Sequence, residues 1–136
     1  ISPLNFSKLD NISTVKNLWK SVHSKPVEIE ANRHDKILSI VSHSPHMISF
    51  VLSNITNQYN LNNETPWMYS RGSLCDMTRI ANSDSKAWAS IFSDNKDNIV
   101  EYIDKYLLEL NKLKSIISSN NDDDLVSYLT KSKPKK

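Results

Sequence analysis

The chain has 136 residues, the length of one domain, and 38% hydrophobic residues, enough for a core without disulfide or metal staples. A net charge of +2 does not point to nucleic acid, and no apolar run approaches the roughly 18 residues of a membrane helix. The single glycine, Gly72, excludes the three-glycine dinucleotide fingerprint and the two-glycine phosphate loop, and the lone Cys75 excludes an internal disulfide framework.

Taken in chain order, the opening ISPLNFSKLDN is a lead-in. Ile1 stands where an initiator methionine would, so we expect a fragment or a processed product, with no secretory leader. Ser13 is the expected cap of a first helix to about Ser24, with Ile12, Val15, Leu18, Trp19 and Val22 on one side. SKPVEIEA then runs extended over Pro26. A second helix starts near Glu30 to Asn32, capped either by Asn32 with Asp35 or by Glu30, and runs to about Tyr59. Its apolar residues lie nearly all round, which describes a buried central helix bent near Pro45.

NQYNLNNETPW is a polar loop, and a short helix follows Gly72. Ser83 or Asp84 caps the next helix, which carries Ala87, Trp88, Ile91 and Phe92. A long amphipathic helix spans about Asp94 to Ser118. Its residues Ile99, Ile103, Tyr106, Leu110, Leu113 and Ile117 alternate steps of four and three, an a/d seam. NNDDDLVSYL is a last capped helix, and the basic end from residue 131 is a solvated, disordered tail. The class is all-α, a bundle built around the proline-containing helix.

The polar stretch SHSPH interrupts that helix. His43 and His46 are three apart and share a face, which Asp35, Ser39 and Ser42 continue. Three readings stay open: hydrogen-bonded core histidines, a metal site, or a polar-substrate site beside a bend. The metal reading lacks the H-E-x-x-H glutamate and a third ligand nearby. In CDMTRIANSDSKAW, Asp76 and Arg79 are three apart. They are either a surface ion pair or a half-buried clamp whose guanidinium fork matches a carboxylate. Cys75, beside Asp76, is a small packing residue.

Together these segments resemble the C-terminal domain of prephenate dehydrogenases, a family that includes arogenate and cyclohexadienyl dehydrogenases. ANRHDKILSIVSHSPH is similar to the family's H-D-x-x-x-A-x-x-S-H-x-P-H. YSRGSLCDMTRIANSDSKAWASIF is similar to its G-G-F-R-D-x-T-R-I-A-x-S-D-P-x-x-W-x-x-I-F, and ISPL to the linker that leaves its nucleotide domain. The resemblance implies an oxidoreductase of tyrosine biosynthesis, cytoplasmic and homodimeric. It would oxidatively decarboxylate prephenate or arogenate and pass hydride to NAD or NADP, with tyrosine as a candidate inhibitor. The cofactor and the catalytic histidine would sit on an N-terminal Rossmann domain outside this chain. No catalytic residue and no metal ligand is therefore expected here, and the fragment alone should be inactive.

By the same resemblance, Arg79 holds the ring carboxylate and His46 lies near the pyruvyl side of the substrate, with His43 as its structural neighbour. Asp35 and Asp76 support the pocket, Trp88 lies near its entrance, and Gly72 lies in a loop that reaches the partner subunit's pocket. The chain departs from the family pattern at Ser73, Leu74 and Cys75 in place of G-F-R, and at Ser85 in place of proline. The rival function is a free-standing, non-enzymatic helical dimer that binds an aromatic amino acid or serves association.

Overall fold

The computed structural model describes residues 1–134, and its elements are helical throughout. The opening strand of chain is pinned rather than free. The Ile1 ammonium donates to the Val27 carbonyl at 2.8 Å, and Ile29 N–H returns to the Ile1 carbonyl at 3.0 Å. Helix α1 spans Leu9–Ser21. It begins one turn before Ser13, so the expected cap is an interior residue; Lys8 opens the helix without a side-chain bond, and Asp10 faces the positive end of the dipole. It also stops three residues short of Ser24. His23 takes a left-handed φ of 61°, and Ser24 N–H reaches back to the Trp19 carbonyl at 3.0 Å. That six-to-one closure usually recruits glycine, where this chain has His23.

The central helix is three segments end to end: α2 over Ala31–Leu38, a π-helical turn over Ser39–His43, and α3 over Ser44–Asn57. Glu30, not Asn32, is the cap, its two carboxylate oxygens accepting from Asn32 N–H at 2.9 Å and Arg33 N–H at 2.8 Å. Glu30→Ala is expected to cost about 1 kcal/mol of stability, read as an earlier denaturant midpoint; an unchanged midpoint would contradict this role. The π turn explains how the helix tolerates Pro45. One extra residue restarts the helix at Ser44, so the proline falls in a first turn, where no N–H is required. Ser44 gives both its N–H and its hydroxyl to the Ser39 carbonyl.

The face this helix buries is polar and small: Ser39, His43, Ser44, Ser49 and Thr56. A helix later in the chain, Lys96–Ser118, crosses the π turn, and the segment after Gly72 packs on α3. Small residues let those backbones approach closely. The large aliphatic residues point elsewhere. Ile37, Ile40, Val41, Val51 and Ile55 are 38–63% exposed in the single chain. All-round apolarity, expected to mean burial, is thus only half met within one copy.

A 3₁₀ turn over Pro66–Tyr69 follows the polar loop, whose tip is a tight turn closed by an isolated Leu61–Glu64 bridge. Asn62 and Asn63, at φ 55° and 71°, supply the left-handed pair usually given to glycine. Helix α4 covers Ser73–Thr78 and passes into a 3₁₀ turn over Arg79–Asn82. Helix α5 spans Ser85–Asp94, with Asp84 as cap through Ala87 N–H at 2.8 Å. Helix α6 spans Lys96–Ser118, and α7 spans Asp122–Lys131, capped by Asn121 with three aspartates in its first turn.

The seam of α6 is spent partly inside the chain: Ile99 is buried, while Leu110 and Ile117 are 43% and 56% exposed. Cys75 is exposed, its sulfur 3.4 Å from the Ser70 hydroxyl and carbonyl, so it ties a loop rather than packing a core. Lys131 of the expected tail is helical, and residues 135 and 136 lie outside the described residues.

Candidate functional site

The π turn sets the site. It directs His43 and His46 to one side of the central helix, where α5 supplies an aromatic ridge. The His46 ring stacks on Trp88 with centroids 3.6 Å apart and planes at 21°. His43 meets the same indole edge to face at 6.1 Å. Phe92 continues the ridge at 5.5 Å from Trp88, with Phe50 against it at 6.3 Å. The ridge holds the imidazole of His46 flat, and a bond at 3.0 Å joins its Nδ1 to the Ser42 carbonyl. A carbonyl only accepts, so Nδ1 carries the proton, and Nε2 has no hydrogen-bond partner among the described residues.

His43 lies deeper. Its Nδ1 is 3.1 Å from Asn95 Nδ2, and the same amide nitrogen donates to the Asp35 carbonyl at 2.8 Å. Asn98 Nδ2 donates to Asn95 Oδ1 at 2.8 Å. Burial lowers the His43 pKa below the ordinary 6.5, with His34 and His46 acting in the same direction and Asp35 opposing. The folded protein thus binds fewer protons at His43 than the unfolded chain. Stability from this residue is present above the ordinary imidazole pKa and is lost as pH falls through the lowered one. Urea midpoints at pH 7 and pH 5 are expected to differ more for the wild type than for His43→Gln. Equal differences would remove His43 from the acid response.

Asp35 contributes through its backbone carbonyl; its carboxylate is half exposed and bonds His34 Nδ1 at 2.9 Å. Asp76 and Arg79 lie on the other side of α3. They line an open cleft of about 360 Å³ with Pro45, Ile48 and Ser49. No ion pair joins them among the described residues. Arg79 is exposed and open to an external anion. Ser49 Oγ, buried at the same cleft, has no hydrogen-bond partner among the described residues. Gly72 caps α4 at φ 54° and ψ −117°, a conformation suited to glycine, and belongs to neither group. The structure therefore brings His43, His46 and Trp88 together with the Asp35 backbone, and places Asp76 and Arg79 in an adjoining cleft.

Asn95 and Asn98 were not singled out from the sequence. The available signal is positional: Asn95 stands four residues before Ile99, one step up the apolar seam, where a polar residue calls for a buried partner.

A helical domain that buries serines and turns its large aliphatic residues outward is an interface-forming domain rather than a self-sufficient core. The chain belongs to the prephenate dehydrogenase dimerization-domain family, whose model matches residues 30–131. It is 30% identical over 122 residues to the cyclohexadienyl dehydrogenase of Zymomonas mobilis, covering 89% of this chain and 42% of that protein. It is 28% identical over 122 residues to the prephenate dehydrogenase of Bacillus subtilis, covering 90% and 33%. A crystal structure of Aquifex aeolicus prephenate dehydrogenase with hydroxyphenyl propionate and NAD+ superposes with a TM-score of 0.87 at 30% identity, over 96% of this chain and 46% of that one. Synechocystis arogenate dehydrogenase, at 15% identity and a TM-score of 0.81, shares the fold. The chain spans less than half the length of these relatives. The family and the all-α class expected from the sequence are both met.

Proposed function

We propose that this chain is the dimer-forming, substrate-binding part of a cytoplasmic prephenate or arogenate dehydrogenase. The carrying observation is the His46 imidazole clamped between Trp88 and the Ser42 carbonyl with Nε2 left over. An immobilised imidazole and an exposed arginine suit a substrate whose carboxylate must be paired as water is excluded. Arg79 would take one carboxylate in its guanidinium fork and His46 would bond the far polar end. Asp76 and Trp88 would shape the walls, and the Gly72 turn would reach a second copy.

The chain's one glycine provides no phosphate-cradling loop, so the nicotinamide nucleotide would be held outside it. That cofactor, NAD or NADP, would accept the hydride as carbon dioxide leaves. Tyrosine, which shares the aromatic ring and a carboxylate, would compete for the same pocket.

In the gene product that contains this chain, His46→Ala is expected to raise KM with little change in melting temperature, and His43→Ala to do the reverse. Equal melting losses and equal KM values would return both residues to a purely structural role.

A further inference from the structure

Asn95 sits where α5 ends and α6 begins, 8% exposed, with all its amide atoms engaged. Its two Nδ2 protons go to the Asp35 carbonyl and to His43 Nδ1, and its Oδ1 receives Asn98. The orientation is over-determined. Turning the amide would set Oδ1 against the Asp35 carbonyl, two acceptors at 2.8 Å, and would orphan the Asn98 donor. His43 Nδ1 must therefore accept, and the proton of the neutral ring sits on Nε2. Ser42 imposes the opposite state on His46, with the proton on Nδ1.

We propose that Asn95 is a positioning residue: it holds His43 as the neutral Nε2–H tautomer and, through the edge-on contact of His43 with Trp88, keeps the indole flat against His46. The inference rests on the pocket reading only for its purpose. Its geometry stands on this chain alone. Three elements converge on the amide: the end of α2 through the Asp35 carbonyl, the π turn through His43, and the first turn of α6 through Asn98. A carboxamide is the group that can do this, since it offers two donors and one acceptor on a rigid plane. The groups that face His43 and bear on its protonation are Asp35 and His34 on α2 and His46 on α3, with Asn95 the neutral neighbour from α6. Burial keeps the ring neutral, in the same sense as the amide contact.

Asn95→Asp keeps the shape and replaces the NH2 group, with both its donors, by an acceptor oxygen. That oxygen, opposite His43 Nδ1, demands a proton there and at the same time repels the Asp35 carbonyl, while the other oxygen still accepts from Asn98. The test is nitrogen-detected histidine NMR on the 136-residue chain, with no substrate or cofactor present. At neutral pH the wild type should show His43 protonated on Nε2 only and His46 on Nδ1 only. The His46 ring protons should be shifted upfield by the stacked indole. In Asn95→Asp, His43 should show the doubly protonated imidazolium pattern, and the upfield shift of His46 should shrink.

A wild-type His43 protonated on Nδ1 would overturn the proposal without any variant, so a variant that fails to fold leaves it testable. A His43 pattern unchanged in Asn95→Asp, or an unchanged His46 shift beside an altered His43, would also overturn it. Because no turnover is measured, loss of the dehydrogenase reading would leave these outcomes intact.

Discussion

Arg79→Ala in the gene product that contains this chain is expected to raise KM for prephenate or arogenate by roughly 10- to 100-fold, with the melting temperature unchanged. The size follows from the chemistry of the lost contact. A charge-assisted, two-pronged bond to a carboxylate contributes about 1.5–3 kcal/mol, and the ligand's charge is then left unpaired. The fold should not notice, because Arg79 is exposed and pairs with no carboxylate among the described residues. Arg79→Lys should recover only part of the loss, since an ammonium cannot present the fork. Steady-state kinetics against both substrates, with thermal melts of each variant, check this. An unchanged KM would remove Arg79 from the site, and a falling melting temperature would make it a structural residue.

Val41→Lys is expected to convert a homodimer into a monomer while leaving the helices intact. Val41 is 63% exposed in the single chain and lies beside Ile37 and Ile40 on one face of the central helix. A lysine there reaches water in the monomer. In a dimer that covers the face it becomes an uncompensated buried charge, at a cost of several kcal/mol. Sedimentation equilibrium should give the wild type twice the chain mass and Val41→Lys the chain mass, with matching circular dichroism. A wild type that stays monomeric at every concentration would contradict the dimer.

Much of the fold was legible because the governing physics is local. Asp84 and Asn121 open α5 and α7 as their side chains suggest, and the four-three spacing marks α6. What was missed depends on alternatives to glycine. His23, Asn62 and Asn63 adopt left-handed backbone that a glycine-based reading cannot anticipate. The start of α1 was missed because Lys8 makes no cap bond that a sequence could advertise. At Pro45 the sequence announces a disturbance, but only the structure shows it solved by an inserted residue rather than an open kink.

The site divides in the same way. His43 and His46 share a side as their spacing implies, whereas Trp88, tied to the pocket by the family resemblance alone, meets both of them. The Asp76–Arg79 pair, which the i,i+3 spacing offered as one reading, does not form among the described residues. Asn95 carries no motif, and its importance appears only when residues 52 and 60 positions away arrive at its amide.

The most direct test of the whole account is turnover. The gene product that contains this chain should reduce NAD+ or NADP+ when given prephenate or arogenate, with release of carbon dioxide, and the 136-residue chain alone should not. Absence of reduction with either substrate and either nucleotide would contradict the dehydrogenase reading and favour a helical dimer that only binds or associates.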